Sequence, residues 1–212
     1  GLQTVLGLKR AGFFVPHRHA ARADAAARRS SAALETLFAA RADDFGAFLD
    51  DIDGLADALI AISGLSPPEP RFEQDWFPRL DAAALYTLVR TRRPARIVEV
   101  GSGHSTRFVM RALRDGALSA AVTAIDPAPR ADLAGLPIDL VRAPLQDVDL
   151  SRFADLSPGD LLTVDSSHVL MPGTDVDIVL GHVLPAAPPG LVVAFHDVFL
   201  PDPYPDRWPF SA

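Results

Sequence analysis

Two patterns of apolar and polar residues follow one another along this chain. Over residues 20–62, apolar side chains recur every three or four positions, which predicts amphipathic helices. Gly46 and Gly54 weaken this pattern, so a break in the helical stretch is expected at one of them. Residues 63–72 contain three prolines, which cannot continue a helix, and therefore mark the expected hinge or boundary.

A second pattern begins after this boundary. Asp81 is predicted to cap a helix over residues 82–92, which Pro94 ends. Short apolar runs then alternate with helical stretches. The predicted strands are 96–100, 121–126, 138–142, 160–165 and 190–196. The predicted helices lie near 104–115 and 175–187. Alternating strands and helices indicate a doubly wound, mainly parallel α/β sheet with helices on both faces.

The two patterns divide the chain into two expected parts. Residues 1–80 are an N-terminal helical segment with its linker, and residues 81–212 are a Rossmann-like domain. The apolar stripe of the helices must be buried against the sheet domain, against another helix or in a homodimer interface. The sequence leaves open which of these surfaces covers it.

Composition narrows the class of protein. Hydrophobic residues make up 49% of 212 residues, which is enough for a sizeable core. The absence of cysteine excludes disulfides, thiolate metal sites and cysteine nucleophiles, and it is consistent with a cytoplasmic location. No apolar run approaches the ~20 residues of a transmembrane helix. The net charge of −7 argues against a nucleic-acid partner.

The charge is distributed unevenly. Residues 1–30 carry a net charge of +5, and the remainder carries −12. The basic end also contains the segment 12–19, with two phenylalanines and two histidines. This segment either docks a partner, an anionic lipid surface or a second subunit, or it is a solvated arm. Both interpretations stay open.

The segment 96–108 carries the strongest functional signal. An apolar strand runs into Gly101-Ser-Gly103, and a helix opens directly after it. Glycines let a ligand approach the backbone closely, and a helix N-terminus offers free N–H groups to it. The dinucleotide fingerprint G-x-G-x-x-G/A has Thr106 at its third small position here. Glu99 precedes the loop, and an acid there suits a cationic amino acid end better than a pyrophosphate.

The pattern E-V-G-S-G-x-S-T resembles motif I of the class I methyltransferases that use S-adenosylmethionine (SAM), in the methyltransferase-24-like family. The resemblance covers about residues 95–200 and implies a sheet of order 3-2-1-4-5 with SAM as cofactor. A complete class I fold has seven strands. This sequence ends soon after the fifth predicted strand, so strands 6 and 7 are expected to be missing, which would leave an exposed sheet edge.

The resemblance also implies a set of cofactor contacts. Asp126, at the end of the second strand, takes the place of the acid that binds the ribose hydroxyls; otherwise it begins an Asp-Pro turn. Gln146 and Asp147 follow the third strand, and they either approach the adenine or belong to a solvated loop. The implied cofactor-binding residues are Glu99, Gly101, Ser102, Gly103, Ser105, Thr106, Asp126, Gln146, Asp147 and Asp165.

Two further polar groups follow the fourth and fifth strands: Asp165-Ser-Ser-His168 and His196-Asp197. Their arrangement resembles the metal-dependent O-methyltransferases of catechol and caffeoyl-CoA type. The resemblance implies Asp165, His196 and Asp197 as metal ligands and places His168 where the family has a lysine base. Mg²⁺ prefers oxygen ligands, whereas histidine suits Mn²⁺, Fe²⁺ or Zn²⁺. In a metal-free alternative, His168 or His196 acts as the general base.

The sequence therefore predicts a SAM-dependent methyltransferase that acts on an oxygen of a small-molecule acceptor, with or without a divalent metal. A nicotinamide-dependent oxidoreductase is the first alternative, because its glycine loop is similar. A non-catalytic, methyltransferase-like protein whose N-terminal helices bind a partner is the second.

Overall fold

The structure is a computed structural model that describes Leu6, Leu8, residues 30–64 and residues 66–202. The basic segment 12–19 and the proline-rich end beyond residue 202 lie outside the described residues. Arg41–Val198 forms one compact unit, which carries the sheet. Helix α1 (Ala32–Ala39) belongs to a second unit, and Ser31 caps it by accepting a hydrogen bond from the N–H of Leu34.

Five parallel strands form the sheet in the order β3-β2-β1-β4-β5. Their bounds are β1 Arg96–Val100, β2 Ala121–Ile125, β3 Asp139–Val141, β4 Leu161–Val164 and β5 Val192–Phe195. This topology confirms the predicted doubly wound α/β fold and its strand order. The strand order reverses beside β1, so the carboxyl ends of β1 and β4 flank the switch point at which such sheets bind ligands.

The helices of the sheet-bearing unit cover both faces of the sheet. Their bounds are α2 Ala42–Asp53, α3 Ala56–Ile60, α4 Arg79–Arg92, α5 His104–Asp115, α6 Asp175–Ile178 and α7 Leu184–Ala186. A π-helical turn, Val179–Val183, joins α6 to α7, and 3₁₀ turns span Leu145–Asp147 and Leu150–Phe153. Gly54 ends α2 as expected, whereas Gly46 lies within that helix. No helix among the described residues is long and apolar enough to cross a membrane.

The start of α4 differs from the prediction, because Asp81 is not its N-cap. The helix begins at Arg79, and Pro78 takes the cap position with an extended backbone (φ −70°, ψ 172°). Proline is tolerated at a helix start because the missing N–H would have no partner there. Asp81 therefore lies in the first turn, and its carboxylate faces His196 instead of the helix backbone.

The core has two parts, one on each face of the sheet. On one face, α4 and α5 pack on Ile97 and Leu161, and Leu59 and Ile62 join this cluster from the segment before the prolines. Residues 42–62 thus add a helical layer to this face and no strand to the sheet. The other face buries a cluster made by the following residues: Val98, Val100, Ile125, Leu145, Phe153, Leu156, Leu162, Val164, Val179 and Val183. The proposed division at residue 80 stays a prediction.

Candidate functional site

The glycine loop, Gly101–Gly103, is held against the neighbouring strands. Gly101 has φ +86°, and its N–H donates to the carbonyl of Ile125 at 2.9 Å. A Cβ at this position would lie 1.8 Å from the carbonyl oxygen of Asp165, so the approach of β4 requires glycine. The loop therefore brings the ends of β1, β2 and β4 together at one point.

Glu99 is buried directly under the loop. Its side chain is 1% exposed and accepts hydrogen bonds from the hydroxyls of Ser105 (2.6 Å) and Thr106 (2.5 Å). The Thr106 hydroxyl also accepts from the N–H of Gly103 at 3.0 Å, which explains the polar residue at the third small position. Burial raises the pKa of Glu99 to about 7 despite these bonds. A cation bound beside Glu99 would favour its ionised form.

Asp126 performs two backbone tasks at the end of β2. Its Oδ2 accepts from the N–H of Ser102 at 2.6 Å, and its Oδ1 accepts from the N–H of Ala128 at 2.7 Å. The carboxylate thus begins the Asp-Pro turn and also holds the glycine loop. Each carboxylate oxygen has a second acceptor site, so the half-buried Asp126 retains the capacity to bind ligand hydroxyls.

The residues predicted near the adenine lie in the exposed 3₁₀ turn after β3. The amide of Gln146 donates to the carbonyl of Gly173 at 3.2 Å, which ties this turn to the loop that precedes α6. Asp147 ends the turn and is exposed. The structure therefore places both residues at the carboxyl ends of the strands, and their role toward a base stays a prediction.

The polar groups after β4 and β5 meet, as expected from their places in the sequence. Nε2 of His168 lies 3.4 Å from Asp165 Oδ1 and 3.5 Å from Asp197 Oδ2. Nδ1 of His196 lies 3.2 Å and 3.4 Å from the same two oxygens. We call these four residues the His/Asp cluster. Two imidazoles thus share two carboxylates at the end of the sheet.

Two members of the His/Asp cluster have an unusual backbone. His168 has φ +57° and Asp197 has φ +58°, in the left-handed region that costs most side chains energy. Residues held in such conformations are found most often at functional sites, where the surrounding structure compensates for the strain. Asp and His adopt this region more often than most other non-glycine residues, but the residue type alone does not predict it at these two positions.

The cluster is strongly coupled electrostatically. Burial alone would raise the pKa of Asp165, but hydrogen bonds from His168 and His196 lower it to about 2. Burial alone would lower the pKa of His196, but its hydrogen bond to Asp165 and the nearby carboxylates of Asp81 and Asp197 raise it to about 10. Burial raises the pKa of Asp197. In the ligand-free protein, His196 therefore carries a positive charge at neutral pH.

The cluster also fits a divalent metal. Ligand atoms of Asp165, His168 and Asp197 all lie within 4.8 Å of one another. Two carboxylates and an imidazole form a mixed N/O set, which suits Mn²⁺, Fe²⁺ or Zn²⁺. The family resemblance implied His196 as the histidine ligand, and the structure brings His168 to the same carboxylates.

A cavity of about 240 Å³ lies between α4 and the ends of β1, β4 and β5. Its apolar lining comes from Phe48, Phe77, Ala84, Leu85, Leu88, Val164, Ala194 and Phe195, and its polar lining from Asp81, Glu99, Ser105, Thr163, Asp165 and His196. Sequence reasoning missed Asp81 and Thr163 as site residues. Asp81 resembled a helix cap, and Thr163 is one residue of an otherwise apolar strand.

Comparison with known proteins gives a family match and a similar solved structure. The family model described as a methyltransferase domain matches residues 98–198. No curated protein sequence matches the chain. The crystal structure of the methyltransferase PaMTH1 from Podospora anserina, bound to S-adenosylhomocysteine (SAH), is similar at 17% identity and a TM-score of 0.42. The similarity covers 88% of this chain and 73% of that chain. The matched segment spans the glycine loop, Asp126 and the His/Asp cluster, and residues 98–198 of this chain are therefore a methyltransferase domain of Rossmann-like fold.

Proposed function

We propose that the protein transfers the methyl group of SAM to an oxygen of a small-molecule acceptor. The observation that carries this proposal is that two sites lie side by side at the carboxyl ends of the strands. The glycine loop with buried Glu99 contacts the backbone of Asp165, and Asp165 is itself a member of the His/Asp cluster. A donor on the loop would thus lie beside groups that can remove a proton. Because the methyl group of SAM is already electrophilic, alignment of donor and acceptor is the main task of the protein.

The loop favours SAM over a nicotinamide dinucleotide. The ammonium group of SAM would compensate the buried carboxylate of Glu99, whereas a pyrophosphate would meet an acid in a low-dielectric site. Calorimetric titration with SAM, S-adenosylhomocysteine (SAH) and NAD tests this preference. We expect SAM and SAH to bind and NAD to give no heat of binding. Binding of NAD alone would overturn the proposal in favour of an oxidoreductase.

Asp126→Ala is expected to weaken SAM binding at least tenfold. The variant loses the carboxylate proposed to bind the ribose, and charge-assisted hydrogen bonds contribute about 1.5–3 kcal/mol each. Calorimetry on the folded variant measures the loss. Asp132→Ala is the matched control, because Asp132 also accepts a backbone hydrogen bond two residues ahead, from Ala134, but lies outside the proposed contacts. Equal affinities of Asp126→Ala and wild type would refute the ribose role.

The acceptor hydroxyl must lose its proton during transfer, and the His/Asp cluster is where we propose that this happens. Asp165, His168 and Asp197 would hold a divalent metal, which lowers the pKa of a bound hydroxyl. Without a metal, His168 is the better placed base. It is exposed at the edge of the sheet and oriented by two carboxylates, whereas His196 is buried and positively charged.

Removal of divalent metal distinguishes metal-assisted proton transfer from proton transfer to a histidine base. We expect EDTA to abolish methyl transfer, measured as SAH formation, and Mn²⁺ or Mg²⁺ to restore it. Isothermal titration of the apoprotein with Mn²⁺ provides a second readout, which His168→Ala and Asp197→Asn should each weaken at least tenfold. Full activity in EDTA would leave the histidine base as the remaining version. No SAH formation with any acceptor, despite SAM binding, would favour a non-catalytic role.

A further inference from the structure

The cavity beneath α4 has a polar wall that the proposed proton transfer does not use. Nε2 of His196 lies in this wall without a hydrogen-bond partner, although the side chain is only 7% exposed. The Oδ2 atom of Asp81 lies 3.6 Å away, just beyond hydrogen-bonding distance. A buried polar atom without a hydrogen-bond partner destabilises a protein. A ligand atom that hydrogen-bonds to both His196 and Asp81 would therefore bind favourably.

The position of this wall is fixed by its surroundings. Phe77 packs its ring against the imidazole of His196, with 4.8 Å between the ring centroids. The opposite nitrogen, Nδ1, faces the carboxylates of Asp165 and Asp197. The imidazole is thus held in one orientation, with Nε2 toward Asp81 and the cavity.

The remaining lining indicates what kind of molecule enters. Most of it is apolar and comes from α4, Phe48, Phe77 and β5. Three acids and one histidine make up its ionisable part, which disfavours anionic ligands. An apolar cavity of about 150 Å³ accommodates benzene, so 240 Å³ suits a substituted ring or a molecule of that size.

We infer that this cavity takes the methyl acceptor, that Asp81 and His196 recognise a hydroxyl group on it other than the one that is methylated, and that the acceptor is a small, uncharged, mainly apolar molecule with more than one hydroxyl. The inference rests on the proposed function. A hydroxyl can donate to the carboxylate of Asp81 and accept from the imidazole, which neither an ether nor a carboxylate can do. A site built for a hydroxyl rejects analogues without one strongly. Asp81 is in this way a specificity-determining residue.

Three probes of one shape test the recognition. We would titrate 4-methylphenol, 4-methylanisole and 4-methylbenzoate into the SAH-loaded protein and follow binding by NMR. The phenol should bind at least tenfold more tightly than the other two. Asp81→Ala should reduce this difference to less than threefold and leave SAH affinity unchanged. Glu73→Ala, which removes an 86% exposed carboxylate outside the cavity, should preserve the difference.

Filling the cavity tests its location. Leu88→Trp should abolish 4-methylphenol binding and keep SAH binding, whereas Leu80→Trp, on the exposed face of the same helix, should change neither. Ala84→Leu replaces Leu88→Trp if that variant does not fold. Equal binding of the three probes, no binding of any to the SAH-loaded protein, or intact binding in the filled variant would overturn the inference. Failure of wild type to bind SAH would instead refute the proposed function.

Discussion

Gly101→Ala is expected to abolish SAM binding and to lower the melting temperature by ~10 °C. The new Cβ would lie 1.8 Å from the carbonyl oxygen of Asp165, so the ends of β1 and β4 would have to separate. Backbone atoms cannot give way as a flexible side chain can, and we expect a cost of about 4 kcal/mol or more. Thermal unfolding and SAH titration measure the two effects.

Gly135→Ala is the matched control for this substitution. Gly135 has φ +80°, close to the φ of Gly101, but no atom lies within 4 Å of its Cβ position. An alanine at this position would have the strained backbone without the clash. We expect the free energy of unfolding to fall by ~1–2 kcal/mol and the SAH affinity to stay unchanged. Similar losses of stability in the two variants would show that strain, and not the contact with β4, requires glycine at position 101.

Glu99→Gln is expected to affect ligand-free stability and SAM affinity in opposite directions. The folded-state pKa of about 7 lies above the ordinary value of 4.5, so the folded protein holds this proton more tightly than the unfolded chain. The stability contributed by Glu99 is full below pH 4.5 and is lost as the pH rises through 7. That loss is about 3 kcal/mol. The glutamine variant should therefore be more stable than wild type at pH 8 and similar to it at pH 5.

The same variant should bind SAM at least thirtyfold more weakly at pH 8. Truncating one partner of a buried charge pair costs about 2–5 kcal/mol, and the glutamine cannot compensate an ammonium group. Differential scanning calorimetry at the two pH values and titration with SAM test both arms. Glu73→Gln, at an 86% exposed carboxylate, should change neither stability nor affinity. A variant that binds SAM like wild type would remove Glu99 from the cofactor site.

The sheet and the glycine loop could be predicted because each depends on local sequence. Apolar runs followed by turn residues gave the strands within a few residues, and α5 begins and ends at the predicted positions. The convergence of the His/Asp cluster also followed from the strand order alone, because parallel strands end at one edge.

The parts that escaped prediction depend on tertiary contacts. Asp81 has the residue type of a helix cap, and only the packing of α4 against β5 shows that it faces His196. The left-handed backbones of His168 and Asp197 are uncommon even for these residue types, and the surrounding contacts stabilise them. Which of two histidines would complete a metal site likewise depends on side-chain directions that strand order does not determine.

The reversal of strand order beside β1 also constrains how the domain folds. β1, α5 and β2 follow one another in sequence. About 60 residues separate β1 from β4, with which it also pairs. Long-range pairings of this kind form late, because loop-closure entropy must be overcome before their contacts form. The carbonyl of Asp165 reaches Gly101 only through that pairing. The contact between the glycine loop and Asp165 is thus expected to form later than the pairing of β1 with β2, so a partly folded chain would have the glycine loop without the proposed catalytic site.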